Sequence, residues 1–148
     1  MERFLSTKTF PPISAAFRQH GAESHCRFIH GYGLVVKLTF AANVLDTRNW
    51  VVDFGGLKGI RMWLEDQFDH KLLVAADDPA LEYLEALDEL GLAQVRVVPA
   101  VGCEAFARMV GKHVEAWLRD SGIAPRVTLI ACEVREHEAN SAIYNPEE

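Results

Sequence analysis

The sequence lacks a long apolar run, and this absence excludes one class of protein. Of its 148 residues 49% are hydrophobic, yet no apolar run approaches the ~20 residues that a membrane-spanning helix needs. The first residues, MERFLSTKTF, also lack the apolar core of a signal peptide. We therefore expect a protein that has no membrane partner and is located in the cytoplasm.

Basic residues are also scarce. Fifteen Lys and Arg stand against 21 Asp and Glu, which gives a formal charge of -6, and no run of basic residues forms a stripe. Because neutralisation of phosphates supplies much of the affinity of proteins for nucleic acids, a nucleic-acid partner is disfavoured. A small phosphorylated molecule remains a suitable ligand, since one or two local Arg or Lys residues can bind it.

Cysteines are too few for a disulfide framework. There are three, Cys26, Cys103 and Cys132, and an odd number in a chain without a signal peptide argues against structural disulfides. Each is then either a small buried hydrophobic residue or a reactive thiol. For Cys103 and Cys132 we expect the buried alternative.

The patterns that are present indicate strands and helices in alternation. Apolar residues at helical spacing predict a helix over Leu57–Phe68, with Asp53 placed to cap it, and an amphipathic helix over 103–122. Residues 77–91 indicate a second helix or an irregular insertion. Strands are predicted within 4–17, around Pro11 and Pro12, and in a hairpin of 28–44 and 50–54; two more follow at 94–100 and 126–136. The expected architecture is α+β, in one domain spanning 1–148.

Five short motifs follow one another along almost the whole chain, between Phe10 and Tyr144. They are C-x-x-x-H-G-Y from Cys26, then VDFGGLK, DHKLL, CEAFA and ACEV. Each motif is weak by itself, but this set in this order resembles the 6-pyruvoyl-tetrahydropterin synthase and 6-carboxy-tetrahydropterin synthase family. The resemblance is more specific than any single motif.

That resemblance implies a fold and an assembly. It implies a tunnelling fold, in which a four-stranded antiparallel sheet carries helices on one face. It also implies that subunits join edge to edge into a barrel, as a homotrimer or a hexamer of two stacked trimers, which removes exposed sheet edges. The active sites are then expected at subunit interfaces.

The resemblance also implies a chemistry on 7,8-dihydroneopterin triphosphate or a related pterin. The proton-abstracting thiol falls on Cys26, and the assisting Asp-His pair falls on Asp69 and His70. The carboxylate that binds the pterin edge falls on Glu133, since a carboxylate can accept two hydrogen bonds from that edge. Glu104, at a helix start, helps to form the pocket wall.

This chain differs from the family at the zinc site. Three His residues hold zinc in the family, but here only His30 is in place, with Phe17 and Tyr32 at the other two positions. Zinc needs about four ligands, Phe offers none, and a phenol has a pKa of ~10. His20 is the candidate replacement ligand if the loop after Phe17 bends back. The alternatives are a rebuilt zinc site and a protein with no zinc or other cofactor.

Two functions follow from the resemblance. The first is a lyase-type synthase of pterin metabolism, which in bacteria feeds queuosine biosynthesis, with a degraded zinc site. The second is a metal-free pterin- or purine-binding protein on the same scaffold; a purely structural role is a third alternative. The late run of Glu136, His137 and Glu138 is expected to be solvated rather than part of a site.

Overall fold

The computed structural model describes residues 1–147, in which seven strands and three α-helices follow one another. The strands are β1 (Phe4–Thr9), β2 (Ile13–Phe17), β3 (His30–Ala42), β4 (Lys71–Ala75), β5 (Gln94–Val98), β6 (Thr128–His137) and β7 (Asn140–Tyr144). The helices are α1 (Lys58–Phe68), α2 (Leu81–Glu89) and α3 (Cys103–Asp120). The architecture is therefore α+β, as expected.

The long strand β3 organises the sheet. Its first half pairs with β2 and its second half with β1, both antiparallel, while β6 lies along its other side. The remaining order is β5-β4-β2-β3-β6-β7. Along β3, Val36, Leu38 and Phe40 are buried in alternation, because successive side chains of a strand point to opposite faces. This alternation buries one face of the sheet against the helices.

The expected four-stranded antiparallel sheet is corrected in both count and direction. The sheet of the described residues has seven strands and is mixed, because β4 runs parallel to β2 and β5 runs parallel to β4. Parallel neighbours need a crossover connection. The segment that contains β3 and α1 connects β2 to β4, and the segment that contains α2 connects β4 to β5. Strand β4 was not predicted because it follows α1 directly and its residues after Lys71 form a short, continuous apolar run.

The predicted returning strand at 50–54 is wrong. The carboxylate of Asp46 accepts hydrogen bonds from the amides of Arg48 and Trp50, at 2.8 and 3.0 Å. Asp53 then caps a 3₁₀ turn over Phe54–Leu57 by accepting from the amide of Gly55. Side chains thus satisfy the backbone here, and the strand partners of β3 come from β1, β2 and β6 instead.

The two long helical predictions are confirmed. Helix α1 buries Ile60, Leu64 and Phe68, and α3 packs against β6 and β7 with a buried stripe that includes Phe106 and Val110. The segment 77–91 also contains a helix, α2. Within residues 1–147, none of the helices combines the length and the apolar character of a membrane span.

Candidate functional site

The pairing of β2 with β3 builds one wall of a cavity of about 570 Å³. In this register Phe17 lies opposite His30, and Ala15 lies opposite Tyr32. The start of α3 and the end of β6 complete the lining with Glu104, Glu136 and other residues. Of the residues predicted from the sequence, the cavity brings together Cys26, His30 and Glu104.

Cys26 lies in a 3₁₀ turn, His25–Arg27, that is held from two sides. Its own amide donates to the hydroxyl of Ser24 at 3.4 Å, and its carbonyl accepts from the amide of Gln19 at 2.9 Å. The guanidinium of Arg18 donates to the carbonyl of Arg27 at 3.2 Å. The turn is therefore fixed to the chain that leaves β2, and the half-buried Cys26 lines the cavity.

Three rings cluster where the family resemblance places the zinc ligands. The centroid of Phe17 lies 5.2 Å from that of His30 and 5.9 Å from that of Tyr32, and His30 and Tyr32 lie 5.2 Å apart. Phe17 is buried and also packs edge-on against Phe106 at 5.1 Å. We call Phe17, His30 and Tyr32 the ring cluster.

The hydrogen bonding of His30 fixes which nitrogen can act in the cavity. Its Nδ1 lies 2.7 Å from the carbonyl oxygen of Phe28, and because a carbonyl only accepts, Nδ1 carries the proton. Nε2 of a neutral ring is then a bare acceptor. Burial raises the pKa of the neighbouring Tyr32, with a further contribution from the charge of Glu136, so its phenol stays neutral.

The residues of the ring cluster do not fit a zinc ion. A structural or catalytic zinc needs at least three protein donors, whereas Phe17 has no donor atom and a neutral phenol is a poor ligand. His20, the candidate replacement, lies 3.2 Å from the carboxylate of Asp77 and does not line the cavity. Within residues 1–147, no three His, Cys, Asp or Glu side chains converge to hold a metal.

Glu136 is a cavity carboxylate that was not predicted from the sequence. Its carboxylate lies 3.7 Å from the thiol of Cys103 and accepts from the side-chain amide of Asn140 at 3.3 Å. Burial, followed by the charge of Glu136, raises the pKa of Cys103 to about 12, so this thiol stays protonated. The prediction of a solvated run holds for the exposed Glu138 but is wrong for the half-buried Glu136; His137 is exposed, but its ring packs near that of Tyr32 at 6.0 Å.

Glu133 lies outside this cavity, although it stands on the same strand. Cys132 and Val134 are buried on the helix side, so alternation directs Glu133 to the opposite face. Its carboxylate accepts from Arg135 at 3.1 Å and from Ser141, a residue that lines the cavity, at 2.7 Å. The partner that a carboxylate in an apolar strand requires is therefore supplied by the chain itself. The period of two along β6 was the signal that separates Glu133 from Glu136.

Asp69 and His70 form a pair, but not in the cavity of Cys26. The Asp69 carboxylate lies 3.1 Å from Nδ1 of His70 and accepts from the amide of Ser14 at 3.2 Å. The hydrogen bond with His70 is the main cause that lowers the pKa of Asp69. The His70 side chain is 78% exposed and lines a different cavity with Ser14, Gly31 and others.

Comparisons with known proteins agree with the sequence motifs. The family model described as 6-pyruvoyl tetrahydropterin synthase matches residues 7–147, which confirms the resemblance. A 6-carboxy-5,6,7,8-tetrahydropterin synthase of Rickettsia felis is 37% identical over 67 residues, 45% of this chain and 49% of that protein. The match thus spans about half the length of the rickettsial relatives. A protein of the same name from Aquifex aeolicus is 23% identical over 136 residues, 90% of this chain and 83% of that protein.

Solved structures agree in fold at low sequence identity. An uncharacterized protein of Wolinella succinogenes, WS1659, superposes with a TM-score of 0.86 at 18% identity, covering 99% of this chain and 100% of its own. The 6-pyruvoyl tetrahydropterin synthase of Caenorhabditis elegans gives a TM-score of 0.68 at 18% identity, with 99% and 98% covered. At such identities the likeness concerns the fold alone.

Proposed function

The chain belongs to the 6-pyruvoyl tetrahydropterin synthase family, and from that membership we propose that it binds a pterin in the Cys26 cavity and acts on it as a lyase-type synthase. The substrate is 7,8-dihydroneopterin triphosphate or a related dihydropterin, as a precursor of queuosine or of a similar compound. The observation that carries the proposal is the meeting of the Cys26 thiol with two carboxylates, Glu104 and Glu136, in one cavity.

The cavity suits a pterin in size and chemistry. Its volume of about 570 Å³ lies within the range of small-molecule sites, about 300–1,000 Å³. A pterin is a flat bicycle whose edge carries several N–H donors, and a carboxylate accepts two of them in parallel. A thiolate of Cys26 would then abstract a proton from the side chain of the bound pterin.

We assign the pterin-binding carboxylate to Glu136 rather than to the Glu133 expected from the motif. Glu136 lines the cavity, and its neighbours there are the protonated thiol of Cys103 and the amide of Asn140. Among residues 1–147 its hydrogen-bond contacts include no cation, so a ligand with N–H donors is a suitable partner. Glu133 does not line the cavity, and it is already engaged by Arg135 and by Ser141, which does line it.

Asp69 and His70 would join the site from a second subunit. Within one chain the exposed His70 side chain does not line the Cys26 cavity, although Tyr32 lines both its cavity and that of Cys26, whereas proton transfer requires His70 and Cys26 to meet at the substrate. The sheet is open, with β1 and β7 at edges, and edge-to-edge pairing of copies into a barrel would cover such edges. A trimer, or two stacked trimers, would place these residues at subunit interfaces.

A second function is supported by the ring cluster. Without the zinc ligands, the step that eliminates triphosphate lacks a Lewis acid on the side-chain oxygens. A metal-free pterin- or purine-binding protein would keep the Glu136 contact without turnover. The two functions share the ligand-binding site and differ in whether Cys26 does chemistry.

Pterin binding by fluorescence titration tests both functions, with two carboxylates of one strand as a matched pair. We expect Glu136→Gln to weaken neopterin binding about 10- to 100-fold, since hydrogen bonds to a charged group contribute about 1.5–3 kcal/mol. Glu133→Gln should leave binding within about twofold of the wild type. Equal losses in both variants would contradict the assignment, and the absence of pterin binding in the wild type would contradict both functions.

Turnover then separates the two functions. Wild-type protein is incubated with 7,8-dihydroneopterin triphosphate, and products are followed by liquid chromatography and mass spectrometry. A synthase should consume the substrate, and Cys26→Ser should abolish the reaction while preserving neopterin binding. Binding without consumption of this substrate would support the binding protein instead.

A further inference from the structure

We infer that Tyr32 and His30 form a metal-free donor and acceptor pair that binds the oxygen atoms of the ligand's side chain. The inference rests on the proposed function, because it concerns the same cavity and a pterin that carries a hydroxylated side chain. It differs from the expected zinc site in a specific way, since two hydrogen bonds would replace coordination to a cation.

The donor of the pair is the Tyr32 hydroxyl. Tyr32 lines the cavity on β3, and its ring is held by Phe17 and His30 and, at 6.0 Å, by His137. Within residues 1–147 its hydroxyl takes part in no side-chain hydrogen bond. A phenol can donate to a carbonyl or hydroxyl oxygen, so this group is available to a ligand.

The acceptor of the pair is Nε2 of His30. Because Nδ1 donates to the carbonyl of Phe28 at 2.7 Å, a neutral His30 presents a lone pair at its other nitrogen. The two rings meet nearly perpendicular, at 87° with centroids 5.2 Å apart. Both residues line the cavity and stand two apart on β3, so the cavity offers an acceptor beside a donor, a combination that is complementary to adjacent hydroxyl and carbonyl groups of a side chain.

Phe17 closes this site to a metal. Its ring is buried against His30, Tyr32 and Phe106, and it stands opposite His30 in the strand register. A third donor could come from this position only if a ligating side chain, such as an imidazole, replaced the phenyl ring. The ring cluster thus packs apolar groups around one donor and one acceptor and does not supply the ligands of a metal ion.

The first experiment measures metal directly. Wild-type protein, His30→Ala, Tyr32→His and the double variant Phe17→His/Tyr32→His are incubated with zinc, passed through gel filtration and analysed by elemental mass spectrometry. We expect no stoichiometric zinc on the wild type and about one zinc per chain on the double variant, which has three imidazoles. Near-stoichiometric zinc on the wild type that His30→Ala removes would overturn the inference. Thermal melting reports whether each variant is folded, and the wild-type result stands even if the double variant is not.

The second experiment compares two ligands in the presence of a chelator. Neopterin carries a hydroxylated side chain, whereas pterin lacks it, so their ratio of affinities isolates the side-chain contacts. Loss of one hydrogen bond weakens binding about 3- to 10-fold, and we expect Tyr32→Phe to weaken neopterin by that factor while pterin affinity is unchanged. His30→Ala should act in the same selective way.

The outcomes distinguish this inference from the proposed function. Equal affinities of wild type and Tyr32→Phe for neopterin, or loss of neopterin binding on chelation, would overturn the pair while leaving the proposed function in place. If the wild type binds neither compound, both the proposed function and the assigned ligand are contradicted. The zinc measurement still decides whether the site is free of metal.

Discussion

Arg18 and Asp78 form a doubly hydrogen-bonded ion pair that joins the end of β2 to the start of α2. The guanidinium donates from Nε and Nη2 to the two carboxylate oxygens at 2.8 and 2.7 Å. The Asp78 side chain is 1% exposed, and it also accepts from the amide of Ala80. Since Nη1 of Arg18 bonds the carbonyl of Arg27, the same guanidinium supports the turn that carries Cys26.

Loss of this ion pair should destabilise the protein strongly. We expect Arg18→Ala to lower the free energy of unfolding by about 3 kcal/mol, because removal of one partner leaves a buried charge uncompensated. The matched control is Arg61→Ala. The Arg61 side chain is 55% exposed, and its partner Glu65 lies one turn further along α1. That control should cost no more than about 0.5 kcal/mol. Urea denaturation measures both, and similar losses would argue against a special role for Arg18.

The same pair should make stability depend on acid. The hydrogen bond from Arg18 is the main cause that lowers the pKa of Asp78, relative to about 3.9 in an unfolded chain. A carboxyl with a lowered folded pKa stabilises the protein above its unfolded pKa, and the contribution is lost as the pH falls. We therefore expect the gap in unfolding free energy between wild type and Asp78→Asn to shrink below about pH 4. A gap that stays constant down to pH 2 would contradict this.

The sequence predicted best where local periodicity decides the structure. The helices α1 and α3 were predictable because apolar residues such as Ile60, Leu64 and Phe106 recur at helical spacing and are buried. The strand β4 was not, since its apolar run is set by burial between β2 and β5, which is a tertiary fact. The turn at 50–54 depends on side-chain hydrogen bonds of Asp46 and Asp53 that periodicity does not encode.

The candidate site also has a part that could be predicted from the sequence and a part that could not. The family resemblance grouped Cys26, His30 and Glu104, and they do line one cavity; His30 and Glu104 lie on a strand and a helix that were predicted, whereas the 3₁₀ turn of Cys26 was not. The choice between Glu133 and Glu136 depends on which face of β6 each occupies; the period of two along the strand separates them, but the family motif ACEV directed the prediction to Glu133. The separation of His70 from the cavity depends on the parallel addition of β4, which was not predicted.

Cys26 should be the one thiol that reacts readily in the folded protein. It is half-buried, whereas Cys103 and Cys132 are buried and burial raises the pKa of each to about 12. Since the thiolate is the reactive form, Ellman's reagent at pH 8 should modify one thiol rapidly in native protein and all three after denaturation. Cys26→Ser should abolish the rapid phase. A rapid phase that survives this substitution would contradict the assignment.

Gly111 and Tyr144 should be energetically coupled. A Cβ atom added at Gly111, in the middle of α3, would collide with the ring of Tyr144 on β7. Gly111→Ala should therefore destabilise the protein by about 1–3 kcal/mol, although Ala is the better helix former. In the background of Tyr144→Ala the same substitution should be neutral or stabilising, because the collision is gone. Additive effects in this double-mutant cycle would show that the two residues do not interact.

Cys26 and His70 should complement each other between subunits if the proposed site is shared. The two side chains line different cavities of one chain, so each complete site would take Cys26 from one subunit and His70 from its neighbour. Each single variant, Cys26→Ser and His70→Ala, should therefore be inactive toward a dihydropterin substrate. Coexpression of the two variants with different affinity tags yields mixed oligomers. After tandem purification, which removes the unmixed oligomers, about one third of the sites in a trimer and about one quarter in two stacked trimers would carry both native residues, and a corresponding share of wild-type activity should return. Mixtures made from two copies of the same variant serve as controls and should stay inactive. Mixed oligomers that are as inactive as these controls would show that both residues must come from the same chain.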